Sequence, residues 1–337
     1  MNSKLKLDLK TREKIESLSF FFTLLVVGCH SGSWVYNGAL GARCFPGFLL
    51  FCAVPWFFFV SGLLMFRSYS PSLQWWLRIM RKRVFTLLIP FFVWNIFFFL
   101  LKLIATSDIN VDVIGGWYGV LTILGINILE PPPCGPFWYI RGLLLFTILS
   151  FFIGRLLSNF YIGCSLILIF FLFFIFGVEY HLLSTGIKVS SMLFFFAGAY
   201  TALHCETLIR IGKFRNMMAW LCTIMFIIVY ILNVCGINIS RLRPFGIICF
   251  LVSISTLLYP LFKKSTGRLN MFSRFSFFIF GIHPVMITLF NILGFNHFCG
   301  GGYYSIWVLS VISSIMLAMV VKKTFASFYL LICGGRG

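Results

Sequence analysis

Residues 15–36 read Ile-Glu-Ser-Leu-Ser-Phe-Phe-Phe-Thr-Leu-Leu-Val-Val-Gly-Cys-His-Ser-Gly-Ser-Trp-Val-Tyr. The run is long enough to cross a bilayer, which takes about 20 predominantly apolar residues. It carries one group that titrates near neutral pH, His30. A titratable side chain in such a segment is expensive and is a functional candidate by default. Counting back from His30, Thr23, Ser19 and Glu16 fall 7, 11 and 14 residues earlier, which a 3.6-residue period places on one stripe of a helix. That stripe is polar and the remaining surface is apolar.

The rest of the chain follows the same pattern. Of 337 residues, 60% are apolar and 10% charged, with a mean hydropathy of +1.00. A soluble domain with a polar surface is excluded by that composition. Windows of spanning length run from Ile15 to Tyr36, Pro46 to Phe66, Val84 to Ala105, Phe137 to Leu157, Tyr161 to Val178, Val189 to His204, Met217 to Cys235, Pro244 to Phe262, Phe275 to Leu293 and Tyr303 to Val321. The expectation is an all-α integral membrane protein of about ten transmembrane helices.

Cations cluster at alternate ends of these windows: Lys4 to Lys14, Arg67 to Arg83, Arg210 to Arg215, Lys263 to Arg274, and Lys322 with Lys323. The positive-inside rule then places both termini in the cytoplasm. The net charge of +19 reads as topology and attraction to anionic lipid. Nucleic acid is not an expected partner, because the cations are spread over separate loops and form no single basic face.

The loops are short, so residues 1–337 read as a single multispanning domain. The first apolar segment lacks a small-x-small cleavage site and is expected to stay as the first helix. The eleven cysteines contain no CxxC pair, so no metal site is expected. Cys44, Cys134 and Cys299 fall in outer loops, where an oxidising compartment permits pairing. Two longer stretches lack spans: 67–83 inside, and 106–136 outside, which ends in Glu130-Pro131-Pro132-Pro133-Cys134-Gly135-Pro136.

No Asp or Glu lies in the middle of a window, whereas cation-coupled carriers usually place carboxylates there. The ionisable groups that remain are His30, Arg141 and His283. Ser276, His283 and Asn291 share a helical face, and Pro284 removes a backbone donor to the Phe280 carbonyl. His283 is either a polar staple between helices or a direct participant in chemistry. Arg141, beside Trp138 and Tyr139, is either an arginine snorkelling to the outer interface or a forked donor to an anionic group. Ser61-Gly62 marks a close helix crossing, since small residues let backbones approach in lipid.

These residues carry a resemblance to the membrane-bound acyltransferase-3 family of bacterial O-acyltransferases. Ile15-Glu16-Ser17-Leu18 leading to Gly28-Cys29-His30-Ser31 is similar to its first-helix signature. Phe58-Phe59-Val60-Ser61-Gly62-Leu63-Leu64 resembles its second-helix element, and Lys82-Arg83-Val84-Phe85-Thr86-Leu87-Leu88-Ile89-Pro90 its basic entry to the third. Phe137-Trp138-Tyr139-Ile140-Arg141 resembles an element of the sugar O-acetyltransferase branch, Phe194-Phe195-Phe196-Ala197-Gly198-Ala199-Tyr200 an internal element, and Ser276 to Pro284 the late His-Pro.

The resemblance implies transfer of an acyl group, usually acetyl, from cytoplasmic acetyl-CoA or another acyl-CoA to a hydroxyl of a surface glycan or its lipid-linked precursor. It implies a multi-pass protein of the bacterial cytoplasmic membrane, with His30 as general base. A neutral imidazole suits that task. Arg141 then orients the acceptor or stabilises the developing oxyanion, and His283 corresponds to the late His-Pro, as a catalytic or substrate-positioning residue or a polar staple. Arg78, Arg81, Lys82 and Arg83 hold the CoA phosphates or serve only as positive-inside anchors. The chain departs from many relatives in carrying Ser19 where they have an arginine, and aligning on Pro90 favours Arg83 in the basic pair. The rival class is an exporter of a glycan or lipid-linked sugar, which requires a broad polar pathway that these few polar residues do not supply.

Overall fold

The computed structural model describes residues 9–31, 51–105, 116–178, 187–204, 215–237, 242–258, 272–297 and 302–336. No strand occurs among the described residues. The helices are α1 (Leu9–Ser31), α2 (Ala53–Phe66), α3 (Leu73–Arg83), α4 (Ile89–Ala105), α5 (Gly116–Ile123), α6 (Trp138–Ser158), α7 (Phe160–Ile175), α8 (Val189–Leu203), α9 (Arg215–Val234), α10 (Arg243–Ser253), α11 (Ser276–Ile292), α12 (Tyr303–Thr324) and α13 (Ala326–Ile332). Among the described residues, four helical stretches are long and apolar enough to cross a membrane: Leu73–Ile104, Gly135–Ser158, Met217–Val234 and Tyr303–Thr324. Shorter apolar helices include Ala53–Phe66, Phe160–Ile175, Val189–Leu203, Arg243–Thr256 and Ser276–Ile292.

The first helix begins at Leu9, ahead of the window from Ile15, and a second boundary also differs from the sequence expectation. The stretch 67–83 is not all loop: α3 starts on the Ser72 side chain, which accepts from the Trp75 N–H at 3.2 Å, and runs through a π-helical turn at Val84–Leu88 straight into α4. Its arginines disguise it, because they lie on a helix whose other side packs on α6. The Trp76 indole N–H donates to the Ile148 carbonyl at 3.1 Å, and Tyr69 fills the space above Gly154.

The core is aromatic. Phe146 stacks on Phe195 with centroids 4.5 Å apart, and Phe137 on Phe280 at 5.6 Å, offset arrangements worth about 0.5–1.5 kcal/mol each beyond their burial. The tightest crossing is α2 on α8. A Cβ at Gly62 would collide with the Phe195 carbonyl oxygen, and one at Gly198 with that of Phe59. The two glycines therefore set the approach of these backbones, as expected at Gly62. Cys134 is buried and free, while Cys44 and Cys299 lie outside the described residues.

Candidate functional site

His30 stands on the last turn of α1. That turn is held from α12, where the Trp307 indole N–H donates to the Leu24 carbonyl at 2.8 Å and the Tyr303 hydroxyl to the Gly28 carbonyl at 3.0 Å. The Trp307 ring lies directly over Gly28, where any Cβ would strike it. Helices α1 and α12 are thus fixed against each other one turn from the histidine. Much of the polar stripe below His30 is already engaged: Ser19 accepts from the Trp56 indole at 3.2 Å, Thr23 donates to the Ser19 carbonyl, and Glu16 pairs with Arg12. His30 itself is exposed.

His283 on α11 faces it. The two imidazole centroids are 5.2 Å apart, with the rings tilted by 41°. His283 is 0% exposed, and its Nδ1 lies 3.2 Å from the Ile279 carbonyl oxygen. A carbonyl only accepts, so the contact assigns the proton of a neutral ring to Nδ1 and leaves the lone pair on Nε2. Pro284 deprives the Phe280 carbonyl, on the same turn as His283, of its helical donor. The Nε2 atom is buried with no partner, which is costly unless the position serves another purpose.

Arg141 does not join the two histidines. Only 4% exposed, it is no snorkelling residue. Its Nη1 donates to the carbonyls of Gly125, Asn127 and Glu130 at 3.1, 2.7 and 3.0 Å. Those carbonyls belong to the segment between α5 and α6, so one guanidinium nitrogen gathers its turns. Asn95, which the sequence reading passed over, closes the other side by accepting from the Cys134 N–H at 3.0 Å. Gly125, at φ +73°, packs against the Asn95 amide. The Nε and Nη2 of Arg141 are buried with no partner.

Below the histidines a second polar group forms. The Tyr139 hydroxyl and Ser61 Oγ are 3.0 Å apart, and the Tyr139 ring meets Phe280, whose centroid is 6.1 Å from that of His283. Local sequence gave no sign of this pair, since 78 residues separate its members. Among the basic residues expected to hold an acyl donor, Arg78 and Arg81 are exposed on α3, whereas Arg83 is half-buried and lies within electrostatic reach of Tyr139. The structure therefore separates Arg83 from the other two. Among the described residues no group of histidines, cysteines and carboxylates is arranged to hold a metal ion.

The arrangement brings an imidazole on α1, a helix tied to α12 by two hydrogen bonds, into ring contact with a second imidazole on α11, and each ring offers an acceptor nitrogen when neutral. It suits proton transfer to or from an oxygen nucleophile. A family model described as an acyltransferase domain matches residues 13–323. No curated protein and no solved structure matches the chain.

Proposed function

We propose that this chain, which belongs to the acyltransferase-3 family, moves an acyl group, acetyl in the first instance, from acyl-CoA on the cytoplasmic side to a hydroxyl of a surface polysaccharide or its lipid-linked precursor. The proposal includes its setting, a bacterial cytoplasmic membrane crossed by all ten apolar windows with both termini inside. The observation that carries it is the His30–His283 pair, 5.2 Å between centroids.

In this reading His30, the exposed member, is the general base. The acceptor oxygen attacks the thioester carbonyl carbon while the imidazole takes its proton. The C–O bond forms, the C–S bond breaks, and the CoA thiolate leaves with that proton. General base assistance of this kind is worth about 10²–10⁴ in rate. His283 is the positioning partner: its Nδ1 is tied to Ile279, which fixes the ring beside His30. Arg141 organises the segment at 125–130 and, held apart from the histidines, keeps Nε and Nη2 for the acceptor. Arg83 takes the phosphate groups of the donor, with Arg78 and Arg81 nearer the membrane surface.

The test is mass spectrometry of the host's surface glycan in a deletion strain, alone and complemented with the native chain or His30→Ala at equal membrane levels. Acyl groups restored only by the native chain, with export intact throughout, support the reading. Normal acylation in the deletion strain, with glycan retained inside the cell, makes the chain an exporter.

A further inference from the structure

The segment that follows α12 lies beyond the stretch matched to the family, residues 13–323, yet it is built into the core. The Trp94 indole N–H donates to the Ile332 carbonyl at 3.1 Å, and Tyr329 and Cys333 are fully buried. Gly334, at φ +63°, sits so close to the backbone of Thr86 that any Cβ would collide with it. Thr86 belongs to the π-helical turn directly after Arg83, and its hydroxyl is buried with no partner. Single π turns inside α-helices are frequent at functional sites.

This path delivers Arg336 to the underside of the histidine site. Its guanidinium lies 4.6 Å from the centroid of the Phe277 ring, six residues before His283 on α11, a rise of about 9 Å. Arg83 and Arg336 are each half-buried. They lie within electrostatic reach of one another and of the Tyr139 hydroxyl, and Lys82 feels Arg67, Arg83 and Arg336 together. Burial pulls the Arg336 pKa below its ordinary value, the mark of a cation short of water. Among the described residues no carboxylate acts on either guanidinium, whose charged and polar neighbours are each other, Lys82, Tyr139 and Cys333. Partly buried like charges with no counter-charge are unfavourable, and a planar guanidinium pair matches a phosphate in charge and in its forked donors.

We propose that Arg336 forms, with Arg83, a two-guanidinium site for the phosphate groups of the acyl donor. The inference rests on the reading of acyl-CoA as donor and adds a residue outside the matched domain to its binding. Phe277 supports the Arg336 guanidinium face-on, and the spare Thr86 hydroxyl supplies a further donor at the same place. The site lies on the Tyr139–Ser61 side of Phe280, so a donor held there approaches the histidines from below.

The test is CoA binding by calorimetry, with the full chain in nanodiscs of neutral lipid. Arg336→Gln is expected to weaken binding by about tenfold or more, the loss of charge-assisted hydrogen bonds to one phosphate, and to flatten its salt dependence. Arg83→Gln is expected to do the same, and Lys323→Gln, at an exposed cation near the end of α12, to leave both unchanged. Arg336→Lys keeps the charge but not the fork and is expected to recover part of the affinity and the native salt dependence, which separates lost binding from lost folding. If Arg336→Gln binds CoA like the native chain while Arg83→Gln does not, the inference is wrong and the donor reading survives. If the native chain binds no CoA, the donor reading fails and the inference with it. A phospholipid headgroup carries the same chemistry, so the titration is repeated with anionic lipid. Native affinity that holds within about threefold supports a donor site, and its abolition assigns the pair to lipid and overturns the inference.

Discussion

Replacing Arg141 by leucine removes the single nitrogen that serves three backbone carbonyls, those of Gly125, Asn127 and Glu130. Gly125 and Asn127 are buried and Glu130 is half-buried, so water can reach the third carbonyl more readily than the first two. An acceptor left unmade inside the protein costs about 1–3 kcal/mol, which puts two of them at about 2–6 kcal/mol. The segment opens locally before the bundle unfolds. A loss of about 3 kcal/mol raises amide exchange by about a hundredfold. The amides to follow are those of Cys134, which donates to Asn95, and Leu129, which donates to the Asn127 side chain. Hydrogen exchange read by mass spectrometry, with the protein in nanodiscs, resolves peptides over 124–137. Arg141→Lys, whose ammonium still offers three donors, is expected to lose roughly half of that protection on a logarithmic scale. If Arg141→Leu exchanges within about threefold of the native chain there, the three bonds do not hold the segment and the argument fails.

Other outcomes follow from the same geometry. Gly198→Val places two methyl groups against the Phe59 carbonyl and is expected to cost about 1–3 kcal/mol or more, read as a fall in thermal midpoint and in folded protein recovered from membranes; an unchanged midpoint contradicts the close α2–α8 crossing. His283→Gln is expected to lower acyl transfer about a hundredfold, the cost of a misplaced reacting partner, with CoA affinity unchanged; full activity would show that His30 works alone. Trp307→Phe keeps the ring over Gly28 but removes its bond to the Leu24 carbonyl, and transfer is expected to drop about tenfold at equal protein level. Native rates in that variant would separate the α12 clamp from the placement of His30.

The sequence already carried the helices, because long apolar runs admit little else in lipid. It also pointed to the two histidines, each on a polar stripe of its own helix, and the structure brings their rings together. Helix α3 was hidden because Arg78, Arg81, Lys82 and Arg83 make its stretch look like a loop, while Trp75 is buried against Phe66 and Tyr69 and Trp76 bonds α6. Arg141 was ambiguous for a different reason. Its partners are backbone carbonyls 11 to 16 residues upstream, and a carbonyl has no sequence signature. Tyr139 with Ser61, Asn95 with Cys134, and the seat of Arg336 over Phe277 join residues far apart in the chain, so no local spacing encodes them. Arg83 was distinguishable from Arg78 and Arg81 only by alignment on Pro90; in the structure it is half-buried at the start of the π turn Val84–Leu88.

The central claim is that His30 performs the proton transfer of an acyl transfer. Its most direct measurement is the movement of isotopically labelled acetyl from acetyl-CoA, supplied on the cytoplasmic side of proteoliposomes, to acceptors extracted from the host envelope. The native chain is expected to label the acceptor. His30→Ala is expected to fall by about 10²–10⁴, with CoA binding and thermal midpoint at native values. Labelling by His30→Ala at the native rate would contradict the account.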